Sequence, residues 1–207
     1  MMTTNLPSLI AGDPPITKQS KTPKRDEAKR KLAGIPKARI GNVDFDPRIN
    51  SLWIDGEIGD QTVIDVRSAL RQMRGHVKLF LNSPGGFVSA GISIFNELSQ
   101  YSAGVTTICT GVVASIASVI FQAGEKRLMA DGTLVMVHSP WSTTSGNSAE
   151  LQKQIEVLDK FQTQMVAIYV KRSGKSQAAI TKLLESETWF TSDEAIAEGF
   201  ADCQWAL

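Results

Sequence analysis

Two serines stand three positions apart, Ser115 and Ser118, in the stretch "GVVASIASVIFQAG" that runs from Gly111 to Gly124. Small residues fill its first half and large apolar ones begin at Val119, so the stretch reads as a strand turning into a helix. A serine at that turn lies beside unpaired helix N–H groups and the positive end of the helix dipole. Small neighbours would let a carbonyl substrate approach it. The plainer account of the same residues is close helix packing, and "VVASIAS" is not a G-x-S-x-G elbow. Acyl transfer also needs a base, an orienting acid and donors for an oxyanion. His138 ends the apolar run "GTLVMVH", at the strand end where α/β sites gather; a structural histidine there is the ordinary alternative. The turn "NSPGG", Asn82 to Gly86, allows positive φ and leaves N–H groups free to face an anion, or is simply a tight turn. For the acid, "LLESETWFTSDEAIAEGFAD" offers Glu185, Glu187, Asp193, Glu194, Glu198 and Asp202. Helix-start placement already accounts for Asp193 and Glu194. Glu187, before Trp189 and Phe190, is expected to be drawn partly out of water, but the residues alone leave the choice open.

The elements that must position these groups alternate. "SLWIDGEI" reads as a strand, "TVIDVRSALRQM" as a helix, "HVKLFLNS" as a strand and "AGISIFNELSQY" as a helix. "GVTTICTG", "SIASVIFQAG" and "GTLVMVHSP" continue the order as strand, helix, strand. Such alternation predicts an α/β domain with largely parallel strands. A long helix is expected from Ser148, as its cap, to Ser173, with Leu151, Ile155, Leu158, Phe161, Met165 and Ile168 three or four apart and Gly174 as the stop. A helix of that length exceeds what a small domain covers, which predicts that part of it packs against another subunit.

The chain has 207 residues, 42% of them hydrophobic, enough for one well-buried core. Residues 1–45, rich in Pro, Lys and Arg, read as a disordered basic N-terminal arm, and 46–207 as the folded domain. A docking role for the arm is the alternative to a solvated charge run. The net charge of +1 gives no reason to expect a nucleic-acid or membrane partner. Cys109 and Cys203 are expected to be buried free thiols in a reducing compartment. With no apolar run long enough for a membrane span and no secretory signal, a cytoplasmic location is expected. No metal-ligand spacing, Walker loop or dinucleotide fingerprint occurs, so neither a metal nor another cofactor is expected.

The motifs "GEIGD", "LNSPGGFVSAGISIFNEL", "CTGVVASIASVIFQAG", "LVMVHSPW" and "ETWFTSDEAIAEGFAD", in that order, resemble the ClpP family of serine peptidases. They look closest to its phage and prophage branch, linked to head maturation. The likeness spans roughly Leu52 to Asp202. It implies a ClpP/crotonase-like spiral of repeated β-β-α units with a long handle helix. Carried over by motif, it makes Ser115 the nucleophile, His138 the general base, and Glu187 the acid where most members carry aspartate. The N–H groups of Gly86 and Ile116 would form the oxyanion hole. It further implies a protein or peptide substrate and a homo-oligomer, with heptameric rings joined through the handle. The peptidase would be ATP-independent or ATPase-assisted; the arm does not resemble the axial loops of housekeeping members, which counts against docking of an AAA+ unfoldase. Two other functions fit this fold class: a non-catalytic ring subunit, which predicts a broken triad, and a crotonase-type acyl-CoA enzyme, which has no need of a Ser115–His138 pair.

Overall fold

Strand β4, Val77–Ser83, alternates buried and outward residues along "VKLFLNS", placing Val77, Leu79, Leu81 and Ser83 inward. Strand β5, Val105–Ala114, is buried almost continuously over its first half, as expected of a parallel strand covered on both faces. These two strands are the centre of a nine-stranded mixed sheet. The structure, a computed structural model, describes residues 38–40 and 43–205. Parallel pairing joins β3 (Ser51–Asp55) to β4 and β4 to β5. Beyond β5 the sheet divides. Residues Thr106 to Cys109 pair with β6, Lys126–Met129, whereas Val112 to Ala114 pair with β7, Leu134–Val137. Strand β8, Thr188–Thr191, lies antiparallel to β7, and β9, Cys203–Gln204, runs beside β6.

Helices α1 (Asp60–Leu70), α2 (Val88–Ser99) and α3 (Ile116–Phe121) follow β3, β4 and β5, the expected alternation of the spiral. Their apolar faces join Ile54, Leu79, Leu81 and Val113 of the sheet in one core with Val66, Ile94 and Phe121. A side chain at Gly91 on α2 would overlap Ile116, so glycine there lets α2 and α3 approach closely.

The sheet starts earlier than residue 46. Strands β1 (Ala38–Ile40) and β2 (Val43–Asp46) pair antiparallel, and β2 pairs with β3, so the sequence-based arm boundary at 45 cuts through the sheet. Residues 1–37 of the expected arm lie outside the described residues. Two free cysteines differ in setting. Cys109 is buried as expected, but Cys203 is exposed on the short edge strand β9.

The long helix, α4, spans Ser148–Ser173. Asn147, one residue before the expected cap, accepts from the Glu150 N–H while Glu150 accepts from the Asn147 N–H, a reciprocal capping box. Gly174 ends the helix at φ 74°. Of its apolar residues, Met165, Val166 and Tyr169 enter the core, while Leu151, Ile155 and Val157 are exposed. The first half of α4 therefore carries apolar side chains that its own domain does not cover. Helices α5 (Gln177–Glu185) and α6 (Ser192–Ala197) flank β8. No helix among the described residues is long and apolar enough to cross a membrane.

Arg127 on β6 is buried and ties the C-terminal segment to the sheet. It donates to both carboxylate oxygens of Asp202, to the Gln122 side chain and to the Gly199 carbonyl. Burial pushes the Asp202 carboxyl up, but the Arg127 hydrogen bonds and charge outweigh it and hold it below its usual value. A carboxyl depressed in the folded state stabilises fully above its unfolded value of about 3.9. That stabilisation is lost as pH falls through the lower folded value. Asp202→Ala should cost about 2 kcal/mol, discounted for solvent reaching the carboxylate. Urea unfolding at pH 7 and pH 3 checks this, with a smaller wild-type advantage expected at pH 3.

Candidate active site

Strand β5 ends at Ala114 and α3 begins at Ile116, so Ser115 is the single residue that turns the chain. Its backbone is at φ 55° and ψ −130°. A non-glycine residue held there costs about 1–3 kcal/mol, which surrounding contacts must offset. The Ser115 N–H donates to the Met136 carbonyl on β7 at 3.0 Å, and its carbonyl accepts from the Ser118 N–H at 2.9 Å. Its side chain is thereby turned out of the core, toward the strand end carrying His138.

His138 follows β7 directly, and its Nε2 lies 2.7 Å from Ser115 Oγ. The antiparallel register of β7 and β8 pairs Val137 with Thr188, so one step further sets His138 opposite Glu187. Glu187 Oε2 is 3.9 Å from His138 Nδ1, an ion-pair distance rather than a hydrogen bond. A proton on Nδ1, facing the carboxylate, leaves Nε2 as acceptor for the serine hydroxyl. Glu187 is 59% exposed, against the expectation that the neighbouring aromatics would draw it out of water. The reason is local: it stands at φ 44° in the turn between α5 and β8, and exposed Trp189 only reaches back to donate to its carboxylate at 3.4 Å. Four of the other candidate carboxylates have partners elsewhere, Asp193 among them accepting from the Gln204 side chain at 2.7 Å. Asp202 binds Arg127, Glu194 caps α6 through Thr191, and Glu198 pairs with Lys175.

The "NSPGG" turn lies directly against the serine. A side chain at Gly85, φ 103°, would come within 2.6 Å of Ser115 Cβ, and one at Gly86, φ 148°, would overlap Ile58. Gly85 and Phe87 form the bridge to Ile58: Ile58 N–H donates to the Gly85 carbonyl and Phe87 N–H to the Ile58 carbonyl, each at 2.8 Å. That pattern uses the groups on either side of Gly86 and leaves the Gly86 N–H pointing to the opposite edge. The Gly85 N–H is held by Ser83 Oγ at 3.1 Å. Ile116 supplies the first N–H of α3, which helix geometry leaves without an intrahelical acceptor. All five residues singled out in the sequence, Ser115, His138, Glu187, Gly86 and Ile116, thus meet at one end of β5 and β7.

Around them opens a cleft of about 510 Å³ lined by Phe87, Met136, His138, Pro140 and Trp141. Phe87 and Trp141 are exposed on its walls. Sequence reasoning did not single out Met136, Ile58 or these aromatics, and took Gly85 only as part of the turn. Only Gly85 carried a signal, as the first glycine of the paired "GG".

A close serine–histidine pair thus stands at one end of an α/β spiral. A Clp protease family model matches residues 53–203, the span that holds the whole arrangement, and the chain belongs to that family. It is also similar to the ATP-dependent Clp protease proteolytic subunit 1 of Protochlamydia amoebophila (strain UWE25), with 28% identity over 196 residues, covering 90% of this chain and 94% of that one.

Because Gly86 has neither the φ nor the space for a side chain, Gly86→Ala should destabilise by about 3 kcal/mol and open the Ile58 bridge. Gly59 has an ordinary φ and open space at the start of α1, so Gly59→Ser should be neutral within about 0.5 kcal/mol. Urea denaturation of the two variants measures the contrast.

Proposed function

We propose that the chain is a serine endopeptidase in which Ser115, His138 and Glu187 form the catalytic triad and the Gly86 and Ile116 N–H groups the oxyanion hole. The observation that carries this reading is the 2.7 Å contact of His138 Nε2 with the hydroxyl of a backbone-strained serine. Ser115 Oγ attacks the scissile carbonyl as His138 Nε2 takes its proton. The two N–H groups stabilise the tetrahedral oxyanion. The C–N bond then breaks as His138 protonates the departing amine, leaving an acyl-serine that water hydrolyses by the same proton shuttle. No step calls for a metal or an organic cofactor. A non-catalytic ring subunit would have no use for the strain at Ser115, and an acyl-CoA reaction would not draw on the Ser115–His138 hydrogen bond.

The 3.9 Å separation and exposure of Glu187 set the size of its contribution. A short, buried carboxylate–histidine bond is worth about 10⁴ in turnover. A longer contact screened by water should be worth less, so Glu187→Gln is expected to lower kcat by about 10- to 100-fold, and Glu185→Gln to leave it within about twofold. Ser115→Ala should lose at least about 10⁴-fold. Hydrolysis of fluorogenic peptides by the three variants checks the assignment; full activity in Ser115→Ala, or equal losses in the two glutamate variants, contradicts it.

The same reading includes a protein or peptide substrate and a homo-oligomer, with heptameric rings, built through the projecting half of α4. Exposed Leu151 and Ile155, one turn apart on the same face, support it as apolar surface that the domain leaves uncovered, and Val157 is exposed on another face. Leu151→Glu combined with Ile155→Glu should dissociate the assembly and lower peptidase activity with it. Light scattering that finds a fully active wild-type monomer contradicts this. Free thiols at Cys109 and Cys203 support a reducing, cytoplasmic setting. The narrower assignment to phage head maturation draws its support from the motif resemblance, and capsid and portal genes beside this one would favour it. For an AAA+ unfoldase partner the support is divided: the similar Protochlamydia protein is named an ATP-dependent subunit, whereas the sequence of the arm does not resemble the axial loops of housekeeping members.

A further inference from the structure

Ser118, the second serine of the opening stretch, is fully buried and its Oγ makes two contacts, 2.5 Å from the Ser115 carbonyl oxygen and 2.7 Å from Tyr169 Oη. The direction of both follows from proton counting. A carbonyl only accepts, so the single Ser118 hydroxyl proton goes to Ser115, and Tyr169 must donate its own proton to Ser118 Oγ. The result is a directed chain from the phenol of α4 through Ser118 to the carbonyl of Ser115, in which each bond strengthens the next. Complete burial pushes the Tyr169 phenol far up, against the Ser118 hydrogen bond that lowers it, so the donor stays protonated. Its ring is fixed laterally against Phe200, with centroids 5.5 Å apart.

The carbonyl of Ser115 and the N–H of Ile116 belong to one planar peptide unit. Whatever holds the carbonyl therefore also fixes the direction of the N–H, which is antiparallel to it. At φ 55° and ψ −130° the helix that follows holds this peptide plane through a single backbone donor, the Ser118 N–H at 2.9 Å. Its carbonyl rests on two donors, both from Ser118. We propose that Tyr169 and Ser118 are positioning residues that aim the Ile116 N–H at the developing oxyanion, so that the seat of the long helix in the domain sets the electrostatics of the reaction. This rests on the hydrolytic reading above. Neither side chain touches substrate; both act through the peptide between Ser115 and Ile116.

Losing one oxyanion donor costs about 10²–10³ in kcat, and a donor that is only misaimed should cost less. Tyr169→Phe, which keeps the ring and removes the phenol, is expected to lower kcat about tenfold with KM within about twofold. Affinity for a peptide boronic acid, whose tetrahedral adduct occupies the oxyanion position, should fall in parallel. Ser118→Ala should do the same more strongly, and the double variant should be no worse than Ser118→Ala alone, because both act through one chain. Thermal unfolding reports folding for each, and Ser118→Ala carries the test if Tyr169→Phe does not fold. Folded variants with kcat and boronate affinity at wild-type level, or a double variant whose losses multiply, overturn the proposal. A wild type that hydrolyses no peptide defeats the hydrolytic reading itself, a result distinct from an active wild type matched by an equally active Tyr169→Phe.

Discussion

The positive φ of Ser115 is the constraint on which the rest of the site depends. A serine on an ordinary strand-to-helix path would point into the sheet or along the helix. At φ 55° it projects from the end of β5, with the Met136 carbonyl holding its N–H and Ser118 holding its carbonyl. Every other part of the arrangement answers to this turn. Gly85 is glycine because the serine Cβ occupies the space its own side chain would need. Residues Val112 to Ala114 pair with β7 so that His138, immediately beyond β7, arrives within hydrogen-bonding reach. The buried packing of α3 against α2 stabilises the helix that begins one residue after the strain.

The charges of the site are graded by solvent. His138 is mostly shielded, with 16% of its side chain exposed, and its contact with the serine is short. Glu187 lies on the wet side of the same histidine at a longer distance, where water screens it. In the proposed reaction the oxyanion would lie on the other side, against the Gly86 and Ile116 N–H groups, one beside the sheet bridge to Ile58 and one at a helix start. On that proposal the backbone donors would carry more of the electrostatic work than the carboxylate, which is exposed and 3.9 Å from the histidine. That balance differs from a triad whose acid is buried.

Much of this was legible in the sequence. The alternation of strands and helices, the strand-to-helix turn at Ser115, the strand end at His138 and the bounds of α4 all follow from periodicity and small-residue placement. Glu187 was not selectable from residue chemistry, since its place beside His138 depends on the β7–β8 register and only motif resemblance pointed to it. Strand β6 escaped notice because "KRLM" shows no apolar alternation: Arg127 is buried there by its pairing with Asp202, 75 positions along the chain. Strands β1 and β2 lay hidden in a segment whose composition resembles a solvated arm. The contact between Ser118 and Tyr169 spans 51 positions, and nothing local in either stretch announces it.

The most direct test of the central claim is reaction of the folded chain with a fluorophosphonate, followed by peptide mapping. The probe forms its adduct with a serine activated by a base beside an oxyanion hole. The account predicts stoichiometric modification at Ser115, none at Ser118 despite its position three residues away, and loss of labelling in denaturant. Modification at any other serine, or none on a chain shown to be folded, would contradict it.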